Sequence, residues 1–276
     1  MGRGVEPLAQ VGMSTSCFYP ANTEVGLQNA LEAGILDLEI HFSSFSELDK
    51  HYLKELRRML MYYGGHIRAV HPFYSILESL MFFSDYGERR FVDGLEIYRQ
   101  YFQTCQLLGA KYLVFHGGGK MGKSRSMVSD DEYIERYNLL FESARQAGVV
   151  LLHENVYQHV AEDITFCRKM IDYLGDKALF TFDNKQARRA GFDSLAFVEA
   201  LSGHIRHLHV SDCDESHDCL LPGRGREDFL AMKSAMSGED ESACWMVEVY
   251  HDAFRSVGEL QQSVNYLRSV LSRQSS

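Results

Sequence analysis

Proline is scarce: four in 276 residues, with no Pro-, Gly- or Ser-rich stretch that would mark a flexible linker. Long apolar runs are absent too. No segment approaches the roughly 18 consecutive apolar residues of a transmembrane helix, and the start "MGRGVEPLAQVG" has no apolar signal core. The six cysteines (17, 105, 167, 213, 219 and 244) form no CxxC pair, which argues against a thiolate zinc site and leaves reduced thiols as the plain expectation. Positive charge is in deficit. A net charge of −10 repels phosphate backbones, so bulk nucleic-acid binding is disfavoured. A cytoplasmic location, with neither membrane nor nucleic acid as partner, is the expectation.

What is present is alternation. Short β-rich apolar runs stand at 11–19, 35–42, 67–72, 112–117, 149–156, 179–183, 205–212 and 244–250, with longer amphipathic stretches between them. "TEVGLQNALEAG" spaces Leu27 and Leu31 four apart and closes on Gly34. "SELDKHYLKELRRMLMYYGG" opens on a capping-box Ser and stops at Gly64. "DDEYIERYNLLFESARQAG" aligns Ile134, Tyr137, Leu140 and Phe141 and ends at Gly148. Strand-helix alternation predicts parallel strands joined by crossover helices. Eight such units in a chain of this length predict a closed (β/α)8 TIM barrel, one domain over residues 1–276. A doubly wound open sheet fits less well, because no Gly-rich dinucleotide turn follows the first strand.

One short motif points elsewhere. Gly117 to Ser124, within "FHGGGKMGKS", satisfies the phosphate-cradling pattern G-x-x-x-x-G-K-[ST] after an apolar run. A working phosphate loop needs its Lys-Ser to open a helix whose free N–H groups hold the anion. Here the next helix signal begins only near 129–131, so a Gly-rich loop is the better reading. Lys120, Lys123 and Arg125 on it remain able to attract a substrate phosphate.

The strand ends carry more chemistry. Glu39, His71, His116, Glu154, Asp183, His209 and Glu248 each close a separate apolar run, and barrel active sites form at the C-terminal ends of the strands. Along "LDLEIHF" the apolar residues alternate toward the helix layer, which turns Asp37, Glu39 and His41 to the lumen. Lumen carboxylates are costly unless paired, hydrogen-bonded or metal-bound. Glu154, Asp183, His209 and Glu248 fall on four consecutive strands, so they can surround one divalent cation. An oxygen-rich set with one imidazole favours Mn²⁺ or Mg²⁺ and admits Co²⁺ or Zn²⁺.

The runs "LDLEIHF", "AVHPFY", "LVFHGG", "LLHENV", "FTFDNKQARRAG", "HLHVSD", "LLPGRGREDF" and "WMVEVY" together resemble the xylose isomerase-like TIM-barrel superfamily of sugar phosphate isomerases and epimerases. That group includes ketose 3-epimerases and shares its barrel with endonuclease IV. The resemblance implies that Glu154, Asp183, His209 and Glu248 are the metal ligands. It implies an isomerase or epimerase acting on a sugar, sugar phosphate or polyol-derived ketone through a metal-stabilised enediolate. Glu154 and Glu248 would be the acid/base pair. Glu39, His71, His116, Lys185 and Gln186 would meet substrate hydroxyls, and Arg224 a distal phosphate. A dehydratase on the same metal and an endonuclease IV-like phosphodiesterase are the alternatives, and a homo-oligomer is allowed. Two positions depart from the pattern. Gln186 stands where many relatives place a histidine, and His217 and Cys219 stand where endonuclease IV-like members carry Asp-x-His. The stretches 41–47 and 75–88 are expected as loops capping the pocket.

Overall fold

A computed structural model describes residues 10–73, 75–84, 88–119 and 128–273. Eight parallel strands close into a barrel in chain order: β1 (Gln10–Ser14), β2 (Asp37–His41), β3 (His66–His71), β4 (Tyr112–Phe115), β5 (Val150–Glu154), β6 (Phe180–Asp183), β7 (Ile205–Val210) and β8 (Cys244–Val247). The surrounding helices are α1 (Thr23–Glu32), α2 (Lys50–Tyr63), α3 (Ser75–Phe82), α4 (Glu88–Leu108), α5 (Asp130–Gln146), α6 (Ile164–Leu174), α7 (Asn184–Arg189), α8 (Ser194–Ala200), α9 (Phe229–Ala235) and α10 (Val257–Leu271). The (β/α)8 expectation therefore holds, down to the strand count and order. No helix is long and apolar enough to cross a membrane among the described residues.

Both faces of the strands are covered. Leu38 and Ile40 are fully buried, and so is Glu39 between them. This is why the strands read as near-continuous apolar runs broken by isolated polar residues. Helix ends follow local chemistry. The Ser129 hydroxyl accepts the Glu132 N–H at the start of α5, and Gly64 and Gly148 take left-handed φ values of 74° and 73° just beyond α2 and α5.

Several boundaries differ from the sequence reading. Every strand but β6 ends earlier than its apolar run does. The run 11–19 becomes β1 followed by a 3-10 turn at Thr15–Phe18, and 244–250 keeps only Cys244–Val247 as strand. The chain bends away at the barrel mouth, where pairing to neighbours stops. Helix α2 starts after Asp49, whose carboxylate accepts the His51 and Tyr52 N–H groups. The capping box lies one 3-10 turn earlier, at Ser44 and Glu47. The expected apolar loop at 75–88 contains α3, packed against α4; Phe82 and Phe83 belong to the core, with Leu77 and Met81 partly buried against it, while Ile76 is exposed. Asp37 sits at the opening strand residue, far from the mouth, and pairs with Arg68 at 2.6 Å.

Barrel closure leaves no room at Gly12. A Cβ there would lie 1.7 Å from the Asp37 carbonyl oxygen on the neighbouring strand. Gly12→Ala should lower stability by about 1–3 kcal/mol, the usual cost of overpacking. The urea midpoint should fall with an unchanged slope; an unshifted midpoint would show that the strands can separate there freely.

Candidate active site

The backbone register places the site. Asp183 on β6 pairs directly with His209 on β7. His41 on β2 pairs with His71 on β3. Glu154 closes β5, and Glu248 follows β8 with its N–H on the Val210 carbonyl at 3.0 Å. An asparagine after each of two carboxylates ties the strand ends together. Asn155 accepts the Asp183 N–H at 2.7 Å and donates to its carbonyl at 2.9 Å. Asn184 makes the same pair of bonds to Ser211, at 3.0 and 2.8 Å. Asp183 also caps α7: one carboxylate oxygen accepts the Gln186 N–H at 2.9 Å. The other, Oδ2, remains buried without a hydrogen bond.

His209 is the hub. Its Nδ1 lies 3.1 Å from Glu154 Oε1 and 3.1 Å from Glu248 Oε2, and its Nε2 lies 2.8 Å from Glu39 Oε2. Lys185, also buried, stands 3.5 Å from Asp183 Oδ2 and 3.8 Å from Glu248 Oε2. His116 Nε2 is 3.1 Å from Glu154 Oε2, and His71 Nε2 is 3.6 Å from it.

These contacts set the charges. Burial alone would strip His209 of its proton, but Glu248, Glu39 and Glu154 surround it and hold its pKa well above the ordinary imidazole value. Burial likewise favours neutral Glu154 and Glu248, and the facing His209 charge overrides it and keeps both below the usual carboxylate range. Asp183 goes the other way. Burial raises it, Lys185 offsets part of that, and Glu248 and Glu154 raise it further. His71 rises to about 9 against the effect of burial, chiefly through Glu154. His41 is pushed down to about 3 by burial and by the neighbouring His71.

One ligand atom from each of Glu154, Asp183, His209 and Glu248 falls within 4.8 Å of all the others. Three carboxylates and an imidazole are a donor set that fits a divalent cation, and Asp183 Oδ2 and Glu154 Oε2, which face cationic groups but make no hydrogen bond, are oxygens such an ion would satisfy. A cavity of about 350 Å³ opens above, walled by Tyr19, His41, Phe73, Lys185, Glu248 and Tyr250. Ser16 also lines it and donates to Glu248 Oε1 at 3.0 Å.

The remaining expected residues divide. His71, His116 and Lys185 join the cluster. Gln186 accepts the Tyr157 N–H at 3.1 Å at its edge. Glu39 is fully buried beneath the cluster and does not line the cavity. Arg224 lies apart, paired with Glu259 near the start of α10 at 3.0 Å. His207, which sequence reading passed over, bonds Glu39 Oε2 at 2.7 Å; its signal was the two-residue spacing to His209 in "HLH".

In the candidate phosphate loop, Lys120 to Ser124 lie outside the described residues. The three glycines before them are already committed. The N–H of Gly117 goes to Glu78 at 2.7 Å, that of Gly118 to the Tyr133 hydroxyl at 2.9 Å, and that of Gly119 to the Ser79 hydroxyl at 2.6 Å. Gly117 itself has φ 75°, and a Cβ there would meet the Tyr133 hydroxyl at 2.1 Å. These amides therefore anchor the loop that carries His116, and none is free to cradle an anion.

A closed parallel barrel with a carboxylate-imidazole cluster at its C-terminal mouth defines the class. The chain belongs to the xylose isomerase-like TIM barrel family, whose model matches residues 27–270. It is 24% identical to an uncharacterised protein of Mycobacterium leprae, over 98% of this chain and 100% of that one. Similar solved structures include D-psicose 3-epimerase with D-tagatose from Clostridium cellulolyticum H10 (TM-score 0.76, 13% identity, 94% of this chain and 98% of that one). An L-ribulose 3-epimerase follows (0.75, 16%, 95% and 94%), as does the IolI protein with a zinc atom (0.74, 18%, 95% and 98%).

If the glycine amides are committed as described, millimolar ATP with Mg²⁺ should leave the thermal midpoint where Mg²⁺ alone puts it. A further rise that depends on ATP would restore the phosphate-loop reading.

Proposed function

We propose that this protein is a divalent-metal-dependent isomerase or epimerase of a sugar or polyol-derived ketone. The observation that carries the reading is the convergence of Glu154, Asp183, His209 and Glu248 beside an open cavity. The likeness to epimerase structures and to a zinc-holding barrel supports it. Those four residues would hold the cation, with Mn²⁺ or Mg²⁺ favoured and Co²⁺ or Zn²⁺ admitted by the donor set. When bound, the ion supplies Lewis-acid stabilisation of the negative charge that develops beside the substrate carbonyl.

The chain's own groups do the rest. Glu248 is the carboxylate that reaches the cavity wall, and Ser16 on one oxygen fixes its orientation. It is placed to take a proton from the carbon next to the carbonyl. Glu154, on the His71–His116 side, passes a proton from the charged His71, whose Nε2 lies 3.6 Å from its Oε2, to the opposite face of that carbon or to its neighbour, and solvent resets Glu248 and His71 between turnovers. His71 donates through Nδ1 to the Pro72 carbonyl at 2.8 Å, which turns its Nε2 inward. Lys185 offers N–H donors to a substrate oxygen while it restrains Asp183 and Glu248.

The cavity favours an uncharged substrate. Lys185 is its one cationic lining residue among the described residues, and two carboxylates already hold it. Arg224, expected to bind a phosphate, is paired elsewhere. Tyr19, Phe73 and Tyr250 give the walls apolar faces suited to the C–H side of a sugar.

A second reading has its own observation. His71, His116 and Glu154 also bring ligand atoms within 4.8 Å of one another, as a multi-metal phosphodiesterase would need. The chain's net charge of −10 and the exposed His217, turned to Asp214 at 3.0 Å, weigh against it. Nicking of abasic duplex DNA would favour this reading.

With an unphosphorylated ketose panel in D₂O, NMR should show carbon-bound deuterium with inversion or carbonyl transfer; loss of water would indicate a dehydratase instead. Glu154→Gln and Glu248→Gln should each lower turnover by about 10²–10⁴-fold, and chelation should abolish it until a divalent ion is restored. Near-wild-type turnover in both variants would exclude this proton shuttle.

A further inference from the structure

We propose that Glu39 is the positioning residue of the cation site: it takes the Nε2–H of His209 and so presents Nδ1 as the ligand nitrogen. The proposal rests on the metal-dependent reading above. Glu39 reaches across the lumen from β2 to β7, where a single oxygen, Oε2, lies 2.8 Å from His209 Nε2 and 2.7 Å from His207 Nε2. It is fully buried, does not line the cavity and lies on the far side of the His209 ring from Glu154 and Glu248.

A cation entering the site takes the place of one proton of the charged His209, which leaves the ring one N–H and one lone pair, and an ionised carboxylate only accepts. The His209 N–H therefore belongs on the Glu39 side. The lone pair belongs on Nδ1, which faces Glu154 and Glu248 at 3.1 Å each. The negative charge behind the ring makes that lone pair a better donor to a cation. His207 brings a second N–H to the same oxygen and pins the Glu39 carboxylate in place. Oε1 makes no hydrogen bond, and Glu39 brings an oxygen within 4.8 Å of ligand atoms on His71, His209 and Glu248; with Oε2 held by both histidines, the assignment is that Glu39 acts through His209 and not as a ligand itself.

The test is divalent-ion affinity, measured by chelator competition with Mn²⁺ and Zn²⁺, for the wild type, E39Q and E39D. It is paired with ¹⁵N-imidazole NMR of the Zn²⁺-loaded protein, with the His209 signals assigned through H209Q. The wild type should show His209 protonated at Nε2 and bound to metal through Nδ1. E39Q should bind about 10–100-fold more weakly, and E39D, which keeps a carboxylate, should recover part of the loss. A purely structural role would change the melting temperature of the metal-free protein without changing affinity or tautomer. E39Q binding within threefold of wild type, or ligation through Nε2, overturns the assignment and leaves the proposed function standing. If E39Q fails to fold, E39D decides: several-fold weaker binding supports the role, and equal binding overturns it. A wild type that binds neither ion at millimolar concentration overturns both proposals.

Discussion

The site depends on one buried imidazole shared by three carboxylates. His209 touches Glu39 on one ring nitrogen and Glu154 and Glu248 on the other. Without a positive charge at that point, the carboxylates would repel one another in a medium that screens poorly. Lys185 repeats the device on the Asp183 side. The barrel makes the arrangement possible because residues far apart in sequence end their strands at the same height. It also makes it costly, because each group has been taken out of water.

The surrounding structure serves to hold those strand ends still. The asparagine clamps at 155 and 184 lock β5 to β6 and β6 to β7, just where the ladder stops. Asp183 divides its two oxygens between a helix cap and the site. A functional side chain supported in this way loses little freedom when it binds a ligand, which is the advantage of building a site on rigid elements.

Much of this was legible from residue order. The eight strands and their parallel order follow from alternation, because the period and length of the apolar runs suit buried strands. The cluster residues stood out because a charged group inside an apolar run is expensive. Boundaries were less legible: Cys17, Phe18 and Val249 continue the apolar runs after the ladder ends, and Cys17 and Val249 are buried in the turns of the barrel mouth. The α3 segment read as a loop because eight residues are too few to show a clear helical period. Roles that depend on distance across the lumen were hidden. Nothing local to Glu39 says that it faces two histidines on β7, and nothing local to Arg224 says that Glu259 claims it.

The anchoring of Gly117 to Gly119 has a consequence for how such a barrel diversifies. Two of the three side chains that hold these amides, Glu78 and Ser79, come from the extra helix inserted between β3 and β4, outside the eight-fold repeat. That insertion works as an adaptor between scaffold and mouth. Exchanging it would re-aim the His116 flank while the strands that carry Glu154, Asp183, His209 and Glu248 kept their register, so the mouth can change there without rebuilding the cluster.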